Sequence, residues 1–229
     1  METGAGLIIF DCDGVLVDSE PLAMRILLAT ISEAGGDIDS ATAYRAFLGK
    51  SLASICELLR RDYGLDIGAA ALEHMRERLY ATISRELQPM AGIDHALRNL
   101  KQRYCVASSS QLERIRLSLA VTGLCSYFDA NVFSATMVNY GKPAPDLFLY
   151  AARHMQVEPA DCIVVEDSPA GIAAALDAGM NAFGFTGGSH ARSISHHLAL
   201  EEVGALLVFD DMRELPRLVG ALETYKNLS

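Results

Sequence analysis

The chain has 229 residues, 51% of them hydrophobic, which is enough to bury a large core in one domain or in two smaller ones. Its formal net charge of −10 argues against nucleic acid and anionic membrane surfaces as partners, whereas a local basic pocket for a small phosphorylated molecule is compatible with it. No apolar stretch approaches the ~20 residues that a membrane-spanning helix requires, and no signal-peptide pattern begins the sequence.

The first element is an apolar run at residues 7–10, which is typical of a buried strand. Asp11 and Asp13 follow at the point where that strand would end, and Gly14 comes directly after them. Ligands of open α/β sheets bind outside the carboxyl ends of the strands, and a glycine lets the backbone turn sharply beside them. The stretch therefore predicts a site at the end of the first strand.

Residues 18–88 show helical spacing and no convincing strand. Ser19 is the expected N-cap of the first helix, and the second helix is expected to end near Gly64. Apolar residues recur at Met24, Leu27, Leu28 and Ile31, at Leu52, Ile55, Cys56 and Leu59, and at Leu72, Met75, Leu79 and Ile83. A helical block inserted after a first strand predicts an α-helical cap domain at residues 18–88, with residues 1–17 and 89–229 forming the core domain.

From residue 89 onward, strand and helix patterns alternate. Strands are expected at residues 104–107, 130–133, 162–165, 181–185 and 205–209. Ser168 and Pro169 are a favourable cap and first-turn pair for the helix that follows the strand at 162–165. This alternation implies an α/β fold, with a parallel sheet that carries helices on both faces.

Polar residues lie at four places where strands or loops end. They are Asp11 and Asp13, Ser108 and Ser109, Lys142 in a Gly-Lys-Pro loop, and Glu166 with Asp167. Because the carboxyl ends of parallel strands meet at one edge of the sheet, these residues are expected to share a pocket. Carboxylates so close together require a cation, and Mg²⁺ is the hard cation that binds through a few carboxylates together with substrate phosphate.

The sequence Asp-Cys-Asp-Gly-Val-Leu-Val-Asp-Ser at positions 11–19 resembles the first signature of the haloacid dehalogenase superfamily. Ser108, Lys142 and the pair Glu166-Asp167 match its other three motifs in the expected order, so the resemblance covers nearly the whole chain. It implies a Rossmann-like α/β core with a helical cap. It also implies an Mg²⁺-dependent phosphatase that hydrolyses a small phosphorylated metabolite, such as a sugar phosphate, through an aspartyl-phosphate.

The resemblance assigns the catalytic and metal-binding residues. Asp11 is the implied nucleophile, and Asp13 the implied general acid and base. Mg²⁺ is expected to bind the Asp11 carboxylate, the backbone carbonyl of Asp13 and the Asp167 carboxylate. Glu166 is expected to be a further ligand, either directly or through water.

The resemblance also assigns residues to the substrate phosphate. Ser108 and the backbone beside it, including Ser109, are expected to hold phosphate oxygens, while Lys142 balances the negative charge. Residues 47–52 resemble the specificity loop of the family, where Lys50 could reach a second anionic group of the substrate.

The position of the helical insert resembles the subgroup that contains β-phosphoglucomutase and small sugar-phosphate phosphatases, above all those of the 6-phosphogluconate type. A phosphosugar mutase of that kind is the first alternative. Such mutases carry a cap histidine and a cap arginine, and this chain has Ala23 and Leu52 at those positions, which disfavours the mutase. Asp13 favours phosphate-ester chemistry over dehalogenation.

A catalytically idle binding or regulatory module on the same fold is the second alternative, because a fold does not fix a function. The intact set of Asp11, Asp13, Lys142 and Asp167 argues against it, since a binding module has no need of an acid and base.

The remaining reactive residues lack a functional pattern. Five cysteines show no metal-type spacing and lie mostly in apolar runs, so we expect buried free thiols in a reducing cytoplasm. The six histidines are expected to have solvated or capping roles, and residues 187–197 are expected to form an exposed loop. The sequence leaves the oligomeric state open.

Overall fold

The computed structural model describes residues 6–47 and 51–226. Within these ranges the chain forms six strands and eleven α-helices. The strands are β1 (Leu7–Phe10), β2 (Arg103–Ser108), β3 (Val132–Ser134), β4 (Cys162–Glu166), β5 (Asn181–Phe185) and β6 (Leu207–Phe209). The helices are α1 (Glu20–Glu33), α2 (Ser40–Phe47), α3 (Leu52–Tyr63), α4 (Ala69–Glu86), α5 (Ile93–Asn99), α6 (Leu112–Val121), α7 (Cys125–Phe128), α8 (Asp146–Met155), α9 (Pro169–Asp177), α10 (Ile194–Val203) and α11 (Leu215–Lys226).

The strands form one parallel sheet in the order β3-β2-β1-β4-β5-β6, which confirms the expected α/β class. The chain runs outward from β1 to β3 and then returns to the other side of β1 for β4. Phe10 consequently pairs with Val106 on one side and with Val165 on the other. Such a reversal of strand order opens a crevice at the carboxyl ends of the two strands that flank it, here β1 and β4.

Strand β1 is completely buried because both faces of the sheet are covered. Ile8 and Phe10 point into one apolar core, which includes residues of α5, α6 and α11. Leu7 and Ile9 point into the other core, against α8, α9 and α10. A central parallel strand covered in this way is continuously apolar, as residues 7–10 are. The polar Asp11 that follows therefore marks the place where the strand leaves the core.

In the described part of residues 18–88, the helical insert contains four helices, α1 to α4, and not the three that apolar spacing predicts. The missed helix is α2, which buries only Ala43 and Phe47, so its periodicity is too short to recognise. The next helix follows the sequence closely. Ser51 accepts a hydrogen bond from the Ser54 amide at its start, and Gly64 ends it in a left-handed conformation with φ of 64°.

The chain enters and leaves this helical insert at adjacent positions. The Asp18 amide donates to the Gln88 carbonyl at 3.1 Å, and the Met90 amide donates to the Leu16 carbonyl at 2.9 Å. Two short connections therefore lie side by side between the sheet and the insert. Within the described ranges, no helix combines the length and the apolar character needed to cross a membrane.

The cysteines are all free thiols, but they are not all buried. Cys12, Cys105 and Cys162 are buried as expected, and Cys56 is partly exposed. Cys125 is exposed, which contradicts the expectation, because it begins the short surface helix α7.

Candidate active site

Lys142 joins two carboxylates from neighbouring strand ends. Its Nζ atom donates to Oδ1 of Asp11 at 2.7 Å, to Oε1 of Glu166 at 2.6 Å and to the carbonyl of Ala107 at 3.1 Å. The side chains of Lys142 and Glu166 are only 4% and 1% exposed. Three strands and one loop thus place a buried ammonium group between two acids that are far apart in the sequence.

Burial and mutual repulsion act on the carboxylates of this group. Burial raises the pKa of Asp11 well above its usual range, opposed by Lys142 and reinforced by Glu166 and Asp167. Burial likewise raises the pKa of Asp167, with Glu166 adding to the effect. Burial alone would lower the pKa of Lys142, but Asp11 and Glu166 outweigh it and raise that pKa. The edge of the sheet therefore concentrates more negative charge than its lysine balances.

Glu166 is held by the start of α9 as well as by Lys142. Its Oε2 atom accepts hydrogen bonds from the amide and the hydroxyl of Ser168, both at 2.9 Å. The same hydroxyl caps the helix by accepting from the Gly171 amide at 3.1 Å, as the Ser168-Pro169 pair predicts. A Cβ atom at position 171 would overlap the Glu166 carboxylate, so the residue there must be a glycine. Both oxygens of Glu166 thus have protein partners.

Asp13 is surrounded by donors that the sequence analysis did not identify. Its Oδ1 atom accepts from the Ser19 hydroxyl at 2.5 Å and from Arg114 at 2.8 Å, and its Oδ2 atom accepts from the Ser110 hydroxyl at 2.5 Å. Burial would raise the pKa of Asp13, but Arg114 and the two hydroxyls outweigh it and lower that pKa. The expected capping role of Ser19 is wrong, because its side chain makes no cap bond and turns to Asp13 instead.

Asp167 is contacted by two histidines from the segment that follows β5. His190 Nε2 lies 2.7 Å from Asp167 Oδ2, and His196 Nε2 lies 2.6 Å from the Asp167 carbonyl oxygen. The His190 side chain is 2% exposed, so the expectations of solvated histidines and of an exposed loop at residues 187–197 are wrong at this position. The signal was available, because this glycine-rich segment follows a strand whose carboxyl end lies at the same sheet edge.

The residues expected to hold phosphate lie in different surroundings. Ser108 is buried at the end of β2, and its hydroxyl accepts from the Ser110 amide at 3.2 Å. Ser109 is exposed beside it. Lys50 lies outside the described residues.

A hard cation fits this group of donors. Asp11 and Asp167 are buried carboxylates whose pKa values are raised first by burial and then by neighbouring acids, so a cation would relieve their repulsion. Gly14 has a φ of 81°, and a Cβ there would overlap Asp167 Oδ2, so the glycine allows Asp167 to approach the backbone beside Asp13. In the described part of the chain, no three or more His, Cys, Asp or Glu side chains form a metal site by themselves. Two carboxylates and a carbonyl suit Mg²⁺, which retains waters and binds substrate phosphate.

A cavity of about 620 Å³ lies beside this group and not over it. Its lining includes Thr186, Arg192, Ile194 and Asp210, from the segments after β5 and β6. None of the predicted site residues that the structure describes lines it, so we do not assign the substrate to this cavity.

The sequence is similar to a known family of hydrolases and to characterised phosphatases. Residues 6–179 match the family of haloacid dehalogenase-like hydrolases. The 6-phosphogluconate phosphatase of Escherichia coli is 30% identical over 190 residues, which covers 82% of this chain and 86% of that protein. The fructose-1-phosphate phosphatase of Escherichia coli is 35% identical over 189 residues, or 79% of this chain and 96% of that protein.

A solved structure extends this similarity to the fold. A haloacid dehalogenase-like protein of unknown function from Agrobacterium tumefaciens superposes with a TM-score of 0.87 at 35% sequence identity. The alignment covers 96% of this chain and 99% of that one, so the similarity includes the helical insert as well as the sheet.

Proposed function

The chain belongs to the haloacid dehalogenase-like hydrolases and is a phosphoric monoester hydrolase, and from that premise we propose an Mg²⁺-dependent phosphatase of a small phosphorylated sugar or sugar acid. The observation that carries the proposal is the buried contact of Asp11 with Lys142, whose ammonium also binds Glu166. It gives a carboxylate a fixed direction at the open end of the sheet, which a nucleophile requires.

Asp11 is the proposed nucleophile. Its carboxylate oxygen forms a bond to phosphorus while the bond from phosphorus to the sugar oxygen breaks, and Asp13 gives its proton to that leaving oxygen. In the second step Asp13 takes a proton from water, the water oxygen bonds to phosphorus, and the aspartyl-phosphate bond breaks to release phosphate. When bound, Mg²⁺ would neutralise charge at Asp11, Asp167 and the phosphate.

Asp13 must change its surroundings to act as an acid. In the described conformation it is paired with Arg114 and its pKa is lowered, so it carries no proton to donate. Its hydroxyl partner Ser19 belongs to the connection into the helical insert. We therefore assign the acid step to a conformation in which movement of the insert has drawn the Asp13 carboxyl group away from Arg114 and both hydroxyls, so that it gains a proton.

The helical insert is the proposed cap, with boundaries at residues 17/18 and 88/89. The paired connections at Asp18–Gln88 and Leu16–Met90 support a hinge there, because the chain passes between the core and the insert at two adjacent backbone segments. Lys142 and the backbone near Ser108 are the proposed phosphate-binding groups, together with Ser109. We propose that Lys50 binds a second anionic group of the substrate.

Glu166 has a more specific proposed role than metal ligation. Because Lys142 and Ser168 already bind its two oxygens, we assign it to holding Lys142 and leave Asp11, the Asp13 carbonyl and Asp167 for the metal. The cytoplasmic location stays a prediction, supported by five free cysteines.

The test is phosphate release from a panel of phosphate esters, with Mg²⁺ and with chelator. The panel includes 6-phosphogluconate, fructose 1-phosphate and β-glucose 1-phosphate. We expect metal-dependent release that is strongest for one sugar phosphate. Isomerisation of β-glucose 1-phosphate without release would establish the mutase alternative, and binding of phosphate esters without turnover would establish the idle module.

A further inference from the structure

The segment at residues 187–193, between β5 and α10, holds Asp167 by its side chain. His190 Nε2 lies 2.7 Å from Asp167 Oδ2, and the two side chains are 2% and 11% exposed. A ring nitrogen at this distance from a carboxylate oxygen donates its hydrogen to it. One of the two oxygens of Asp167 therefore has a buried protein partner.

Two glycines fix the position of the His190 ring. A Cβ atom at Gly14 would come within 2.8 Å of His190 Cε1, and one at Gly188 would come within 2.7 Å of the same atom. The ring therefore lies against the backbone on two sides, in space that exists only because both positions lack a side chain. Its Nε2 atom is consequently held toward Asp167 without freedom to turn away.

Helix α10, which follows this segment, holds the backbone of Asp167, and the segment itself contacts the connection into the helical insert. His196 Nε2 donates to the Asp167 carbonyl oxygen at 2.6 Å, so the backbone of that residue is fixed from α10. The Ser189 hydroxyl donates to Asp18 Oδ1 at 3.0 Å, where the chain leaves the core. The orientation of Asp167 is thus set by this segment together with α10, and the segment also contacts the proposed hinge.

A packing role alone does not account for a histidine at this position. Among the described residues, His190 Nδ1 is buried and has no hydrogen-bond partner, which costs free energy that an apolar side chain of similar size would avoid. The polar gain that offsets this cost comes from Nε2 and its contact with Asp167. The residue is therefore explained by what it does to that carboxylate.

We propose that His190 is a positioning residue for Asp167: by binding one carboxylate oxygen, it presents the other to the metal ion. This inference rests on the proposed metal-dependent function, in which Asp167 is a ligand. Hydrogen-bonded partners of metal ligands commonly change metal affinity by about 10- to 100-fold when they are removed. The effect is on metal binding itself, and it does not require turnover.

The test is Mn²⁺ binding to the full chain, measured by electron paramagnetic resonance of the free ion. We expect His190→Ala to weaken Mn²⁺ binding by about 10- to 100-fold. His190→Gln should recover most of the affinity, because its amide nitrogen can occupy the place of Nε2. The matched control is His197→Ala, since His197 is half-exposed on α10 and pairs with Glu201 instead. That variant should bind Mn²⁺ as the wild type does.

Either of two results for His190→Ala would overturn the inference. Unchanged Mn²⁺ binding in His190→Ala would leave the ring a packing role only, and tighter binding would mean that His190 competes with the metal for Asp167. If the alanine variant does not fold, His190→Asn replaces it, because its shorter amide does not reach Oδ2 of Asp167. Equal Mn²⁺ affinity for the Asn and Gln variants would also contradict the inference.

A different result would overturn the proposed function itself. If the wild-type protein releases phosphate equally with Mg²⁺ and with chelator, its activity does not depend on a metal ion.

Discussion

The buried edge of the sheet and the helical insert contain ion pairs of the same length in opposite surroundings. Lys142 and Glu166 are 2.6 Å apart with side chains 4% and 1% exposed, whereas Arg61 and Asp62 in α3 are also 2.6 Å apart but 65% and 44% exposed. Water screens the exposed pair, so neither partner constrains the other. The buried pair has lost its water, and each partner fixes the charge and direction of the other.

The difference in burial distinguishes charged residues that position groups in the candidate active site from charged residues that only keep the surface polar. In the insert, the apolar faces of α1 and α4 provide the packing, and their arginines and acids pair at the surface, as Arg25 does with Glu86. At the sheet edge, burial raises the pKa values of Asp11 and Asp167, and the neighbouring acids raise them further. Substitutions at the sheet edge should therefore have larger effects than substitutions on the surface of the insert.

The largest effect is expected for Asp11→Asn, which removes the nucleophile but keeps the shape of the side chain. We expect turnover to fall by at least about 10³-fold, measured as phosphate release, with an unchanged circular dichroism spectrum. The control is Asp177→Asn, which changes an exposed acid at the end of α9. Substantial activity in Asp11→Asn would remove Asp11 from the mechanism.

Replacement of the central lysine, Lys142→Met, should reduce stability most. It leaves the Asp11 and Glu166 carboxylates buried without their cation, and losing one partner of a buried pair costs about 3–5 kcal/mol of unfolding free energy. Urea unfolding in the presence of chelator measures it, with the exposed Lys101→Met as the control. Equal unfolding free energies for the two variants would mean that the buried ion pairs of Lys142 contribute no more to stability than an exposed lysine does.

The variant Gly171→Ala tests the contact between α9 and Glu166. The added Cβ would overlap the Glu166 carboxylate, so we expect a loss of up to about 3 kcal/mol of unfolding free energy, despite the better helix propensity of alanine. Gly220→Ala in α11 is the matched control, because a Cβ there meets no atom within 4 Å. A Gly171→Ala protein as stable as this control would show that the Glu166 position is adaptable.

Glu20 at the start of α1 lies between the two regions and gives a pH-dependent effect. Burial, reinforced by Asp13 and Asp167, raises its pKa from an ordinary value of 4.5 to about 7. The folded state therefore keeps a proton that the unfolded state releases, so the contribution of Glu20 to stability is lost as the pH rises from 4.5 to about 7.

The substitution Glu20→Gln should remove this dependence. Relative to the wild type, the variant should gain on the order of 1 kcal/mol of unfolding free energy between about pH 5 and about pH 8, since partial exposure moderates the shift. Unfolding in chelator at both pH values measures it. The same difference between the two proteins at both pH values would contradict the shifted pKa.

The smallest effect is expected in the insert. Arg61→Ala removes an exposed ion pair with Asp62, and we expect an unfolding midpoint and a turnover rate equal to those of the wild type. A marked loss of stability would contradict the contrast between surface and buried pairs, and a loss of turnover would give α3 a part in substrate binding.

The sequence predicts the sheet well because its strands obey a simple rule. Apolar runs that end in polar residues identify β1, β2 and β4, and strand order brings their ends together. Helix α2 was missed because only two of its residues are buried, which is too little periodicity to recognise. The spacing of apolar residues therefore identifies elements that lie in the core, but it does not identify a short helix with few buried residues.

The partners of the predicted acids could not be found in the same way. Arg114 reaches Asp13 across 101 residues of sequence and belongs to no recognisable local pattern. His190 lies in a glycine-rich segment whose place at the sheet edge can be inferred, but its contact with Asp167, 23 residues away, cannot. Ser19 precedes α1 at the N-cap position, where its hydroxyl would be expected to accept a hydrogen bond from a helix amide. It donates to the Asp13 carboxylate instead, because a hydrogen bond to a charged group is stronger than one between neutral groups. These contacts depend on charges that are brought together by the fold, and the spacing of residues along the sequence does not reveal them.

The most direct test of the account is chemical trapping of the aspartyl-phosphate. The protein is mixed with its best phosphate ester and Mg²⁺, quenched in acid and reduced with borohydride, which converts an acyl-phosphate of aspartate into homoserine. Peptide mass spectrometry then locates the change. The account predicts homoserine at position 11 in the wild type and none in Asp11→Asn. Homoserine at another position, or phosphate release with position 11 always recovered as aspartate, would contradict it.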